Sequence, residues 1–149
     1  MSWLRENSTV IEALAACLTA LLALVALVGV KVQLDETDRL ARLQSARDTY
    51  RGHLALAITT PEFAAPIDGC ALLDGPKAVS YEAFVDHLLY SAEQSLSVED
   101  GWDQAFLDQL APHQAYVCSA QAPNGDTPEV TALLKRYRSE SCPAMPTCR

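Results

Sequence analysis

The side chains best suited to moving a proton are His53, His87 and His113. None stands at E-x-x-H or H-x-x-x-H spacing, so the di-iron bundle and zinc-protease patterns are not encoded. His87 follows Asp86 within a helical run, and His113 follows Pro112 at a helix start. Both read as structural. Ser91, Ser95 and Ser97 lie outside any G-x-S-x-G elbow, and there is no glycine-rich phosphate loop. Glu99, Asp100, Asp103 and Asp108 surround Trp102 without the D-x-D-x-D-G order of a calcium loop. Carboxylates at a helix start complement the helix dipole, which accounts for most of that cluster. Lys135, Arg136 and Arg138 complement the opposite end of another helix in the same way, and lipid head groups or an acidic partner are the sharper alternative. The residual enzyme reading would need His113 to meet Cys118 or Asp103 in space. No catalytic, cofactor-binding or metal residue is assigned, and no cofactor is expected.

Cysteine chemistry is more informative. Cys17 falls in an apolar run and reads as a small apolar residue there. Cys70, Cys118, Cys142 and Cys148 fall in loops or near helix ends of the polar part. Four cysteines in a small domain point to disulfides, with three possible connectivities, and unpaired buried thiols are the alternative. The segment CPAMPTC is suited either to closing on itself or to tying the chain end back to the body. Structural zinc wants pairs at C-x₂₋₄-C spacing, and no such pair occurs.

These residues sit on a chain of 149 residues, long enough for an anchor and one domain. From Val10 to Val30 it reads VIEALAACLTALLALVALVGV, with Glu12 the one charge. About 20 residues at 1.5 Å each cross a hydrocarbon core of ~30 Å. Thr9 and Glu12 form a T-x-x-E capping box, Trp3 suits the interface, and Lys31 bounds the far end. A retained anchor is favoured over a cleaved signal peptide. Arg5 is offset by Glu6, the apolar run is long, and VGVKVQLDE offers no small-x-small cleavage site.

Setting aside Glu6, Glu12, Arg5 and Lys31, residues 33–149 hold all but two of the 19 acidic and all but two of the 11 basic residues. The polar part therefore carries the whole net charge of −8, which makes nucleic acid a poor partner.

Past Lys31 the sequence predicts an all-α protein: a membrane helix continuing into a long juxtamembrane helix, packed with a small helical bundle. The expected organisation is a tail over 1–9, the membrane helix over 10–32, a helical soluble domain over 33–138, and a Cys/Pro tail over 139–149. In LDETDRLARLQSARDTYRGHLALAITT, Leu40, Leu43, Tyr50, Leu54 and Ala57 form an apolar stripe, with Arg47 in the missing position. Packing of this stripe on later helices is the simpler reading. The sharper one makes Leu40, Leu43, Arg47 and Tyr50 partner contacts.

Thr60-Pro61-Glu62 is a stop for the juxtamembrane helix and a start for a short one, with Thr60 as cap, and Thr127-Pro128-Glu129 repeats the start signal and opens the last helix. Residues 65–79 read as a loop. Ser80 should cap a helix that buries Tyr81, Phe84, Val85, Leu88, Leu89, Ala92 and Leu96 and turns Glu82, Asp86 and Glu93 outward. Gly101 breaks the chain, and Trp102, Phe106 and Leu110 begin a helix that restarts at Pro112 and runs to about Ala120. APNGD is a turn, and Val130, Leu133, Leu134 and Tyr137 face inward from the last helix.

The order of a short tail, one span, the charged helix QLDETDRLARLQSARDTYRGHL, the break TTPEFAAP and the helices YEAFVDHLLYSAEQ and WDQAFLDQL resembles uncharacterised families of small bacterial single-span proteins with a C-terminal helical domain. The resemblance covers most of the chain in layout. It implies a bacterial membrane-associated protein and no catalytic residues.

The expected function is that of a membrane-anchored interaction protein, an accessory or assembly subunit of a membrane complex. Its partners would be the lipid bilayer and either a membrane protein or a second copy. The alternative is a tethered sensor that holds a small molecule between aromatic faces. Sidedness is contested. Arg39, Arg42, Arg47 and Arg51 lie beyond the span on the same side as Lys31, which favours the cytoplasm. The four cysteines favour the periplasmic face of a bacterial inner membrane, and that is the expectation adopted.

Overall fold

The structure is a computed structural model that describes residues 7–143 and Cys148, with Ile11 described by its backbone alone. Trp3 and Arg5 lie outside the described residues. Every regular element among the described residues is helical. Seven α-helices are described: α1 (Ser8–Thr59), α2 (Pro61–Ala64), α3 (Gly69–Leu73), α4 (Ala78–Leu96), α5 (Asp103–Leu110), α6 (Gln114–Val117) and α7 (Pro128–Ser141). A 3-10 turn, Ala111–His113, separates α5 from α6. The chain divides into two compact units, one ending at Leu40 and the other beginning at Ala41.

The first unit holds the apolar part of α1 and the charged turns from Lys31 to Leu40. Its most apolar stretch has a mean hydropathy of 2.6 and no buried residue, which makes it long and apolar enough to cross a membrane. Leu14, Leu18, Leu21, Leu22, Val25, Leu27 and Val28 are all exposed. The helix begins at Ser8, so Thr9 lies inside the first turn and not at its cap. Thr19 turns its hydroxyl back onto the Ala15 carbonyl, which satisfies the one side-chain donor in the centre of this run.

The second unit holds its core in two clusters. The larger joins Leu88, Leu89 and Ala92 of α4 to Phe106, Leu107 and Leu110 of α5, Val117 of α6, and Val130, Leu133, Leu134 and Tyr137 of α7. The smaller joins Phe63, Tyr81, Phe84, Val85 and Tyr116. Inward faces expected for α4 and α7 are buried as their spacing requires, with Leu96 half-buried.

The two Thr-Pro-Glu sites differ in use. Thr127 caps α7, its hydroxyl accepting from the Val130 amide. Thr60 instead donates its hydroxyl to the Leu56 carbonyl, closing α1 rather than capping α2. Gly101 and Gly125 take φ values of +95° and +79°, where a side chain would be strained, and so make the two main turns.

Several boundaries differ from the sequence expectation. Residues 65–79 contain α3, because the Asp68 carboxylate accepts from the Ala71 amide and seeds a turn. α4 starts at Ala78, which leaves Ser80 exposed in its first turn. The helix expected to reach Ala120 stops at Val117. The tail expected from Ser139 begins later, because α7 runs to Ser141.

The four cysteines stand in two pairs at disulfide separation. Cys70–Cys148 has a Cα distance of 5.3 Å and Cys118–Cys142 one of 5.5 Å. Closure of CPAMPTC on itself is thus not what forms. The segment's two cysteines reach to different places, one to the end of α6 and one to α3.

Candidate functional site

All three histidines converge near one phenylalanine. The Phe84 ring of α4 lies 4.9 Å from the His53 ring and 5.7 Å from the His113 ring, centroid to centroid. His87, one turn beyond Phe84, stacks on His53 at 5.6 Å with 20° between the ring planes. The first of these residues comes from α1, the next from α4, and His113 from the 3-10 turn that Pro112 opens. His53 and His113 are each 1% exposed, and His87 is half-buried.

Hydrogen bonding splits the three. His113 Nδ1 lies 3.1 Å from the Tyr81 hydroxyl. His53 Nδ1 and His87 Nδ1 are buried with no partner. Burial, reinforced by the charge of His87, lowers the His53 pKa from 6.5 to about 4. Burial and the charge of His53 lower His113 to about 4 as well. Tyr81 is pushed up to about 12, chiefly by desolvation. At neutral pH these groups are uncharged, which suits an interior among apolar rings.

Beside the cluster runs a surface groove of about 340 Å³, lined by Leu56, Thr60, Phe63, Ser80, Ala83, Phe84 and His87. Its walls are mainly apolar, with hydroxyls at Thr60 and Ser80. Lys77 lies over the Phe63 ring at 5.8 Å and pairs with Glu62.

A second groove, about 540 Å³, lies between α4 and the turn before α7. Asp86, Glu93 and Asp126 line it with Tyr90. Burial, then Glu82 and Asp126, raise the Asp86 pKa.

The convergence of the histidines was not read from the sequence. Their positions obey no short motif, and the stripe of Leu40, Leu43, Tyr50, Leu54 and Ala57 leaves His53 out. A clue lay in the spacing. Ala46, Tyr50, His53 and Ala57 recur at steps of four, three and four, and Ala46 and His53 are the two buried positions among the described side chains of α1. The packed face is therefore rotated from the expected stripe of Leu40, Leu43, Tyr50, Leu54 and Ala57.

The four partner-contact candidates fall in different surroundings. Leu40 is 50% exposed and Leu43 is half-buried. Arg47 pairs with Glu99 at 3.6 Å, both side chains facing solvent. Tyr50 packs edge-on against Trp102 at 5.2 Å and Phe106 at 5.5 Å.

The nucleophile–base pairing sketched for His113 does not form, since His113 faces Tyr81 and Cys118 is bonded to Cys142. Arg138, grouped above with Lys135 and Arg136, turns inward and donates to the carbonyls of Val117 and Pro123. Among the described residues no group of three or more His, Cys, Asp or Glu is placed to hold a metal ion.

No family model, curated protein or solved structure matches this chain.

Proposed function

We propose that this chain is a membrane-anchored interaction protein whose helical domain serves as an accessory or assembly subunit of a membrane complex. The observation that carries the reading is the apolar part of α1, whose described side chains are all exposed. A continuous apolar surface of that length is unfavourable in water and favourable in hydrocarbon. Paired cysteines fit an oxidising compartment, which supports placing the domain on the periplasmic face of a bacterial inner membrane over the arginine-based orientation.

Mild-detergent extraction followed by crosslinking and gel filtration tests the partner. A co-purifying membrane protein or a defined oligomer is the expected result. A lone monomer with nothing bound would sink the reading. Sidedness is tested by alkylating the thiols of acid-quenched cells before and after reduction. The four soluble-domain cysteines should react after reduction alone, and free reaction without it would return the domain to the cytoplasm.

A second reading, a tethered small-molecule sensor, is supported by the groove beside His87. Its mixture of aromatic walls and two hydroxyls suits an apolar ligand with one or two polar atoms.

A further inference from the structure

We propose that the stacked His53–His87 pair is a proton-operated latch: protonation of the buried His53 ring against His87 releases the 41–59 stretch of α1 from the bundle while the rest of the unit stays folded. The inference stands independently of the anchoring proposal.

Three observations carry it. First, the pair bridges the two parts that would separate, with His53 on α1 and His87 on α4, rings stacked at 5.6 Å. Second, the Nδ1 atoms of both rings are buried without a partner. With its proton on Nε2, a neutral imidazole leaves at Nδ1 an unpaired acceptor, which is a real cost but far smaller than that of a buried charge. A protonated ring would place a positive charge and an unsatisfied donor in the same spot, against a second ring of the same kind.

Third, few residues of the 41–59 stretch are fully buried. These are Ala46 and His53; Leu43, Thr49, Tyr50, Leu54, Leu56 and Ala57 are partly buried, with Tyr50, Leu56 and Ala57 at the edges of the two core clusters. Its ion pair with the bundle, Arg47–Glu99, is exposed and so contributes little. Neither disulfide includes a residue of this stretch. Both instead fasten α3, α6 and the chain end behind α7, and the larger core cluster is formed by buried residues of α4 to α7.

The groups around the pair offer no relief for the new charge. On α1, Asp48 bonds Arg51 and Arg47 bonds Glu99, all four side chains facing solvent. On α2, Glu62 pairs with Lys77 at the start of α4. From α4 the facing groups are Tyr81 and Phe84, while Asp86 is exposed and Glu82 half-buried. The 3-10 turn contributes His113, already bonded to Tyr81, and α6 contributes Tyr116. No carboxylate pairs with His53 or His87 among the described residues. The lowered pKa of His53 agrees in direction, since release restores the ring to water and to its ordinary value.

The test is hydrogen exchange by mass spectrometry on the full oxidised chain in mild detergent, corrected for intrinsic rates, at about pH 7 and about pH 4.5. The expected result is a loss of protection over 41–59 at the lower pH that exceeds the loss over 84–96 and 128–141 by roughly tenfold or more, the smaller loss being the shared one that His113 contributes. Uniform loss across the unit, or no change over 41–59, would overturn the latch. In the double variant His53→Gln with His87→Gln, neither ring can charge, so 41–59 should lose no more than the shared amount at the lower pH. A variant that folds yet loses protection as the parent does would overturn it too. Should the double variant not fold at neutral pH, the regional pattern in the unsubstituted chain decides alone. Glu99→Gln, which removes the ion pair, should leave the acid response in place, and abolition of the response by that change would move the trigger to Glu99.

Discussion

The Tyr81 hydroxyl lies 3.1 Å from Nδ1 of His113, with both side chains sealed from solvent between α4 and the 3-10 turn. A phenol held protonated is able to donate to that nitrogen, which then leaves the imidazole proton on Nε2. Tyr81→Phe should therefore unpair a buried acceptor while keeping the ring packing. The expected cost is about 1–2 kcal/mol, read from chemical denaturation of the oxidised domain. Nitrogen chemical shifts of His113 should move toward a tautomer mixture in the same variant. An unchanged stability and unchanged shifts would show that the bond contributes nothing.

Acid should weaken the folded domain through His53 and His113. Both have folded pKa values lowered to about 4 from 6.5, so below 6.5 the unfolded chain binds more protons than the folded one. Their contribution is complete above 6.5 and is lost as pH falls toward about 4. Within that window each histidine contributes a slope of up to about 1.4 kcal/mol per pH unit. Urea midpoints measured across the window should fall with pH, and His113→Gln should flatten the slope. A midpoint that rises as pH falls would contradict the sign.

Ala46 reports which face of α1 is packed. At 1% exposure it has no room for a larger side chain, so Ala46→Leu should destabilise by about 1–3 kcal/mol through overpacking. Leu40→Ala, at a position 50% exposed, should change domain stability by less than about 0.5 kcal/mol. Thermal melts of the two variants compared with the parent settle the order. The reverse order would restore the stripe expected from hydropathy.

Peptide mapping under non-reducing conditions should yield Cys70 linked to Cys148 and Cys118 linked to Cys142. Replacing Cys118 and Cys142 together by Ser should cost about 2–4 kcal/mol, because the unfolded chain regains the freedom of that loop. A Cys142–Cys148 product would show that the tail closes on itself after all.

Gly69 is buried where α3 meets α6, and a Cβ there would stand 2.9 Å from the Ala115 Cβ. Gly69→Ala should thus lower the melting temperature, although alanine ordinarily favours a helix. A higher melting temperature would mean that α3 shifts freely to make room.

How far the sequence alone reached is clearest on α4 and α7. Tyr81, Phe84, Val85, Leu88, Leu89 and Ala92, with Val130, Leu133, Leu134 and Tyr137, announce a buried face through their spacing. A helix turns once in 3.6 residues whatever it later packs against. The apolar run from Val10 to Val30 is legible for a similar reason, since length and hydropathy are properties of the segment alone. That the fold is all-helical follows from these local patterns. Tertiary structure decided the rest. Cys70 finds Cys148, and His53 meets His87, through chain paths that no local period records. The polar face of a histidine looks the same in sequence whether water or Phe84 lies beside it. Ala46 and His53 are the residues of the 41–59 stretch that the bundle covers fully, and which face it covers is fixed only once both surfaces are formed.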